Sequence, residues 1–424
     1  MNSKYLKIMQ NTQEAFLFRR VKCYTLLLLL NVIFQSIAAQ TPIQLQTALD
    51  SAMANNLTLK NEKLKVQYQV MLSRTSYSLP QTNLFTENGQ INSKYTDHRF
   101  GVSQSMNFPT VYARQKNVFN QDYMSSQIGY QLKEMDLKKQ VISTYYHLVY
   151  LQEKENILLK NDTVYAIFLN KAKLKFKAGE TDILERSTAE IQRNQIAMQL
   201  RELQQDKAIS LLQLQWLLNT HSQYMPGIDS FKMHLPAYDS TQMEKHPQIR
   251  ILVQQQQARM AQTRLEKSRL LPDLNLTYSN MSMYGVGADN QFYTRSSRFQ
   301  SVQIGVGIPV FAGAQRAAVD VSRSQEKIAE SNYRIGINSL NNHWEQTIAL
   351  YKKYQETISY YETIGLKNAD LMINTINQQF SNGEINYLNW VMLTNQALGV
   401  KSEYLDAVNN SNETIIEIMY LMGN

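Results

Sequence analysis

Six histidines and eighteen methionines are the side chains here that could hold a metal. Zinc sites need three or four ligands, with nearest pairs at spacings such as H-x3–5-H or C-x2–4-C. His98, His147, His221, His234, His246 and His343 show no such pairing. They read as surface or packed residues. Thioethers suit soft cations, and Met281-x-Met283 is the one tight methionine pair. Most other methionines fall at helical spacing, where a flexible thioether fills gaps in a core. Asp182 and Glu185 share one helical face, as a carboxylate pair for acid–base work would. They follow a polar turn, which favours solvated carboxylates over catalytic ones. No Ser-His-Asp set, phosphate-cradling glycine loop or other paired-carboxylate site stands out. The expectation is no enzyme, no cofactor and no resident metal.

The elements that carry these residues occur twice. Leu79-Pro80-Gln81-Thr82-Asn83-Leu84 recurs as Leu271-Pro272-Asp273-Leu274-Asn275-Leu276, 192 residues later. Phe176-x-x-Gly179-Glu180 recurs as Phe380-x-x-Gly383-Glu384, 204 residues later. A repeat of almost half the chain means two copies of one structural unit. The first copy spans 40–218 and the second 247–424, with a connector at 219–246. Each reads helix, strand pair, long helix, turn, helix. That order suits a channel better than an enzyme.

The first 39 residues read as a secretory leader. Lys4, Lys7, Arg19, Arg20 and Lys22 precede an apolar run from Tyr24 to Phe34, and Ser36-Ile37-Ala38-Ala39 offers small residues for cleavage. Such a segment is too short and wrongly flanked to span a bilayer. Cys23, the only cysteine, lies inside it and before the apolar run, so a lipidated cysteine is not expected. The mature chain then has no disulfide framework and no thiolate chemistry. Of the formal charge of +8, the leader's five bases and Glu14 account for +4. The remainder is too small and too dispersed to imply nucleic acid. No later run reaches 18 apolar residues, so entry into a membrane would be by strands.

Proline placement sets the architecture. Pro109 and Pro226 bound one proline-free span, and Pro309 and the end of the chain another. Proline inside a helix costs roughly 3 kcal/mol, so its absence across Leu-, Gln-, Lys- and Glu-rich stretches predicts long helices. A further helix is expected from about Ile43 to Ser78. Gly179 and Gly383, followed by polar residues, break the two spans into hairpins. An arm from Thr110 to Ala178 would be about 100 Å long at 1.5 Å per residue, which implies a coiled coil. Gly129 and Gly336, inside the arms, mark candidate close packing.

Between the helices the period becomes two. Val302, Ile304, Val306, Ile308 and Val310 alternate with small or polar residues, and so do Leu274, Leu276 and Tyr278. Phe100, Val102, Met106 and Phe108 follow the pattern more loosely. These one-sided strands, in hairpins at about 80–109 and 272–311, fit either a half-buried soluble sheet or a membrane barrel. Tyr77, Tyr95, Tyr112, Tyr278, Tyr284 and Tyr293 lie in or beside them, as interfacial girdles would. Four strands cannot close a barrel, which needs about eight. Phe231, Met233 and Leu235 offer a short strand in the connector, and the apolar helical tail after about Ser411 is expected to pack near it.

At this point the chain resembles the TolC-type outer-membrane efflux proteins over essentially its whole mature length. Leu45-x-x-Ala48-Leu49-x-x-Ala52-x-x-Asn55-Asn56-Leu57 is similar to the family's opening helix, and His246-Pro247-Gln248-Ile249 to its counterpart. Phe108-Pro109-Thr110-Val111-Tyr112 and Gly307-Ile308-Pro309-Val310-Phe311-Ala312-Gly313 resemble the passages from strand into helix. The two Phe-x-x-Gly pairs resemble the hairpin tips. The resemblance implies an α plus membrane β-barrel fold: a homotrimer with a twelve-strand barrel in outer-membrane lipid and a twelve-helix periplasmic tunnel. It also implies a periplasmic adaptor docking at the tips, assigned to Phe176, Gly179, Glu180, Phe380, Gly383 and Glu384. An inner-membrane pump, of the proton-driven type first, would supply energy. Metal export would need no ligand in this chain.

The chain departs from the family at the tunnel constriction. Members that close it with acidic rings carry Asp six and nine residues after the second-tip glycine; here stand Asn389 and Met392. Ile385 replaces an arginine found in some. Glu185 keeps a carboxylate at the first tip, so the candidate constriction is Asp182, Glu185, Asn386 and Asn389. Two other readings were weighed: a periplasmic adaptor, which usually has one hairpin, and an exported structural coiled coil, which would not need alternating strands.

Overall fold

The computed structural model describes residues 41–227, 230–237 and 245–423. The leader expected over 1–39, with Cys23, lies outside them. In chain order the elements are β1 (Thr41–Ile43), α1 (Leu45–Asn55), α2 (Leu57–Ser73), β2 (Asn83–Gly89), β3 (Asp97–Met106), α3 (Pro109–Lys177) and α4 (Ile183–Leu218). Then come β4 (Tyr224–Pro226), α5 (Pro247–Ser268), β5 (Asp273–Ser282), β6 (Gly285–Val286), β7 (Phe292–Tyr293) and β8 (Arg298–Gly307). The chain closes with α6 (Gly313–Tyr360), a π-helical turn (Tyr361–Gly365), α7 (Leu366–Ser381) and α8 (Tyr387–Leu421).

Compactness divides the chain into two units, which do not follow the sequence repeat. One joins 41–52 to 144–231, and the other joins 53–143 to 232–423. In the first unit, β1 and β4 pair in parallel, Thr41 opposite Tyr224. The Tyr145 hydroxyl lies 3.1 Å from the Ile43 carbonyl oxygen and 2.8 Å from that of Gly227. On α4, Ala189, Ile196, Leu203, Ser210 and Leu217 are buried, one every seven residues. That is a coiled-coil seam, and each fully buried Leu or Ile in it contributes about 1.5–3 kcal/mol.

In the second unit, α8 carries the clearest heptad. Tyr387, Trp390, Thr394 and Ala397, and then Val408, Ser411, Ile415 and Ile418, are all buried at alternating steps of three and four within each run. Val111 and Val118 at the start of α3 pack with Ala261 and Leu265 of α5. Ile249, Leu340 and Leu421 form another cluster. A Cβ on Gly336 would come within 2.2 Å of the Leu252 side chain, so this glycine does mark a close approach. Gly129 does not; its nearest neighbour would be Ile251 at an ordinary 3.8 Å.

Three expectations need correction. The opening helix is not continuous: Asn56 turns to an extended conformation, and its side chain accepts from the Leu59 N–H at 3.1 Å. Asn prefers this capping role to a helix interior. Phe231, Met233 and Leu235 form no strand. The Met233 N–H donates to Asn412 Oδ1 at 2.9 Å, and Tyr224–Pro226 takes the strand role instead. The last strand stops at Gly307, short of Val310. The apolar tail does reach the connector, through Asn412 and through the His246 ring, whose Nε2 lies 3.1 Å from the Tyr420 carbonyl oxygen.

Candidate channel wall and hairpin tips

Four strands of the second unit form one antiparallel sheet in the order β2-β3-β5-β8, and β6 and β7 pair separately. Its register aligns Leu84, Val102, Tyr278 and Val302 in a row across all four strands. Leu276 lies opposite Ile304, and Met106, Leu274 and Val306 share the next row. Successive residues point to opposite faces, so these rows make a largely apolar face, with Gln104 in the Leu276 row and Asn280 and Gln300 one row beyond Tyr278. Among the described residues nothing covers it: Ile304 is 76% exposed and Leu84 74%. The other face carries Ser103, Thr277 and Gln303 in one row, and Ser105, Asn275 and Gly305 in the next. Mostly apolar on one side and small or polar on the other, over strands of seven to ten residues, is the pattern of barrel strands between lipid and water. β2 and β8 are edges, each with one side unpaired.

At the far end of the sheet a buried Asp97 ties the two strand loops together. Its carboxylate accepts from the Tyr284 N–H at 2.9 Å, Ser282 Oγ at 3.1 Å and the Asn92 N–H at 3.2 Å. Sequence reading missed this residue, because two of its three partners, Ser282 and Tyr284, lie in the other repeat.

The first tip, in the first unit, ends α3. Gly179 takes φ +74°. Its N–H donates to the Phe176 carbonyl at 3.1 Å, and the Glu180 N–H to that of Lys175 at 3.0 Å. These two bonds are a Schellman closure, which needs glycine at the left-handed position. Asp182 then caps α4, its carboxylate accepting from the Glu185 N–H at 3.0 Å. The Thr181 hydroxyl donates to the Glu185 carboxylate. Phe176 is half-buried under Arg186, whose guanidinium sits 5.2 Å from the ring centre.

The second tip, in the second unit, repeats the backbone. Gly383 has φ +77°, its N–H donates to Phe380 at 3.1 Å, and the Glu384 N–H to Gln379 at 2.9 Å. Asn386 caps α8 through the Asn389 N–H at 2.9 Å. Here Phe380 meets Tyr387 and the buried Trp390, whose Nε1–H donates to Asn377 Oδ1 at 3.0 Å. Gly179, Glu180, Gly383 and Glu384 are exposed at their tips. So are Leu184 and Leu388, each five residues past its glycine, at 64% and 48%. Sequence reading overlooked this pair, although Gly-x-x-x-x-Leu repeats at both tips. Asp182, Glu185, Asn386 and Asn389 all serve as caps or first-turn residues.

Among the described residues no cluster of His, Cys, Asp and Glu could hold a metal, and no helix is long and apolar enough to cross a membrane. Met281 Sδ instead receives Asn92 and Arg99.

The fold, long paired helices with one open antiparallel sheet, is shared with solved outer-membrane channels. It superposes on the Campylobacter jejuni CmeC outer membrane channel with a TM-score of 0.75, at 15% identity over 89% of this chain and 85% of that one. The open state of the Neisseria gonorrhoeae MtrE outer membrane channel gives 0.72, at 14% identity over 90% and 89%. CusC, whose structures describe conformational changes accompanying folding and transmembrane channel formation, gives 0.74, at 17% identity over 90% and 92%. No curated protein sequence matches. Residues 240–424 match the model of the outer membrane efflux protein family. That match takes in the second repeat, and over the rest of the chain the likeness is one of fold.

Proposed function

We propose that three copies of this chain close into a passive export duct, the outer-membrane part of a tripartite efflux system. The observation that carries this reading is the four-stranded sheet with two open edges and an uncovered apolar face. Unpaired edges in lipid leave backbone groups unsatisfied, and closure removes them. Three sheets joined β2 to β8 would give twelve strands, enough for a barrel. Exposed apolar rows on the helices support the same count. Leu57, Leu64 and Met71 on α2, Leu184, Ile191 and Met198 on α4, and Val321, Ile328 and Ile335 on α6 each repeat every seven residues. Such rows pack against a neighbouring helix, and a second copy supplies one, giving a twelve-helix tunnel.

The two tips would meet a periplasmic adaptor through Phe176, Gly179 and Glu180, and through Phe380, Gly383 and Glu384, with Leu184 and Leu388 as exposed apolar contacts. The energy would come from an inner-membrane pump of the proton-driven type. Asp182, Glu185, Asn386 and Asn389 would line the narrow end, with Glu185 the acidic ring that favours cations. Electron microscopy of the chain extracted from outer membranes tests the duct. A threefold particle with a detergent micelle around one end is expected. A monomer, or a particle that stays soluble without detergent, would overturn it. Adaptor capture, with and without a bulky residue in place of Gly383, then tests the tips.

A further inference from the structure

The two copies pass from strand to helix in different ways. In the first, β3 ends at Met106 and α3 begins at Pro109. Phe108 turns inward against Val111, Val118, Ala261 and Leu265, and the Asn107 N–H donates to the Tyr112 hydroxyl at 3.1 Å. In the second, β8 ends at Gly307 and α6 begins at Gly313. The intervening Ile308-Pro309-Val310-Phe311-Ala312 contains no polar side chain. It folds through a tight turn, the Val310 N–H donating to the Ile308 carbonyl at 2.9 Å. Phe311 is 98% exposed and Val310 79%. Apolar groups left in water forgo the stabilisation that burial gives, so this projecting segment calls for a cover.

Its surroundings identify the cover. Ile308 and Val310 follow directly on the strand that carries Val302, Ile304 and Val306, so the projection stands at the end of the sheet's apolar face. It stands where that face gives way to helices too polar to enter a bilayer. Arg264 and Lys267 at the end of α5, and Arg316 in the first turn of α6, are exposed on the two helix ends, while Arg269 is paired with Glu266 at 3.1 Å. The two helix ends adjoin, Gln315 Nε2 donating to the Glu266 carbonyl at 3.1 Å. Aromatic and apolar tips flanked by Lys and Arg fit the boundary between acyl chains and anionic headgroups.

We propose that Ile308–Phe311 is a lipid anchor, inserted into the phospholipid leaflet at the helix-side end of the barrel. The anchor rests on the barrel reading above, and it would hold the second repeat of each copy to the membrane without an acyl chain.

The chain's single cysteine allows a direct test. In a Cys23→Ser background, nitroxides are placed singly at Ile304→Cys, Phe311→Cys and Lys327→Cys. The full chain is reconstituted in phosphatidylethanolamine–phosphatidylglycerol vesicles. Collision with oxygen is then compared with collision with a water-soluble nickel chelate. The expected oxygen-to-nickel ratio is several-fold higher at 311 than at 327, and close to that at 304. A ratio at 311 equal to that at 327, with 304 still in lipid, overturns the anchor and leaves the barrel standing. An immobile label at 311 reached by neither reagent overturns it in favour of contact with a second copy. Water exposure at both 304 and 311 overturns the barrel reading and the anchor with it.

Discussion

The two hairpin tips share a backbone but not a clamp. Both close with the same pair of hydrogen bonds around a glycine at positive φ. Both open the next helix with a side chain that accepts from the N–H three residues on. Beneath that shared frame, the first tip holds Phe176 under one Arg186 guanidinium. The second packs Phe380, Tyr387 and Trp390 together, with Trp390 fully buried and bonded to Asn377. A repeated motif thus preserves turn chemistry, while the packing under each turn belongs to its own site.

The largest expected effect comes from removing the second clamp. Trp390→Ala deletes a buried indole, and such losses cost about 3–5 kcal/mol. Phe176→Ala at the first tip loses a half-buried ring and a cation–π contact worth about 0.5–1 kcal/mol at exposed sites. Hydrogen exchange should therefore speed up strongly over 366–400 in the first variant, and only slightly over 165–195 in the second. Equal responses would mean that the two clamps do not differ in strength.

The shared frame predicts the opposite symmetry. Gly179→Val and Gly383→Val each force a β-branched residue into the left-handed region, at a cost of about 1–3 kcal/mol. No side chain crowds either position, so the penalties should match within experimental error in thermal unfolding. A tip that tolerated valine would not be held by its Schellman closure.

What the sequence disclosed follows the same division. Phe-x-x-Gly-Glu located both turns to the residue, because glycine at positive φ is a local requirement. The absence of proline marked the long helices, and the alternation at Val302–Val306 marked the apolar face. Contacts between distant residues were hidden. Trp390 gives no sign in the sequence that it meets Phe380 and Asn377, nor Asp97 that it holds Tyr284 and Asn92. Asn56, in an unbroken helical pattern, showed its cap only through a side chain that competes with the backbone. Pro109 and Pro309 mark the same passage, yet α3 starts at the first while α6 waits until Gly313, and the sequence did not show that Phe108 would pack inward and Phe311 stand exposed.

The helix starts sharpen the comparison through pH. Asn56 caps α2 with an amide that does not titrate. His246 caps α5 in the corresponding place: Nδ1 accepts from the Gln248 N–H at 3.2 Å, and Nε2–H faces the Tyr420 carbonyl. That set of partners needs the neutral ring, since a protonated Nδ1 cannot accept. Burial pushes the His246 imidazole below its ordinary value, against smaller upward pulls from the Tyr420 carbonyl and Asp136. A lowered folded-state value means the unfolded chain binds the proton more readily. The stabilisation is therefore complete above about pH 6.5 and is lost as pH falls through the lower folded value. Protection factors against hydrogen exchange at 246–252 should fall between pH 7.5 and pH 5, while those at 57–63 stay level. His246→Asn should abolish the difference, and a fall surviving that change would place the titrating group elsewhere.

The smallest effect on stability separates charge from capping at the first tip. Glu185 accepts from the Thr181 hydroxyl and sits in the first turn of α4, where a carboxylate also meets the positive end of the helix dipole. Asn389 holds the matching place at the second tip and carries no charge. Glu185→Gln keeps an acceptor for Thr181, so folding should change by about 0.3–1 kcal/mol at most, the share of the dipole term. If three Glu185 side chains ring the narrow end, the same change should lower cation selectivity in single-channel recordings, while Asn389→Asp should raise it. A reversal potential indifferent to both would reduce Glu185 to a helix cap, and the two tips would then differ only in how they are packed.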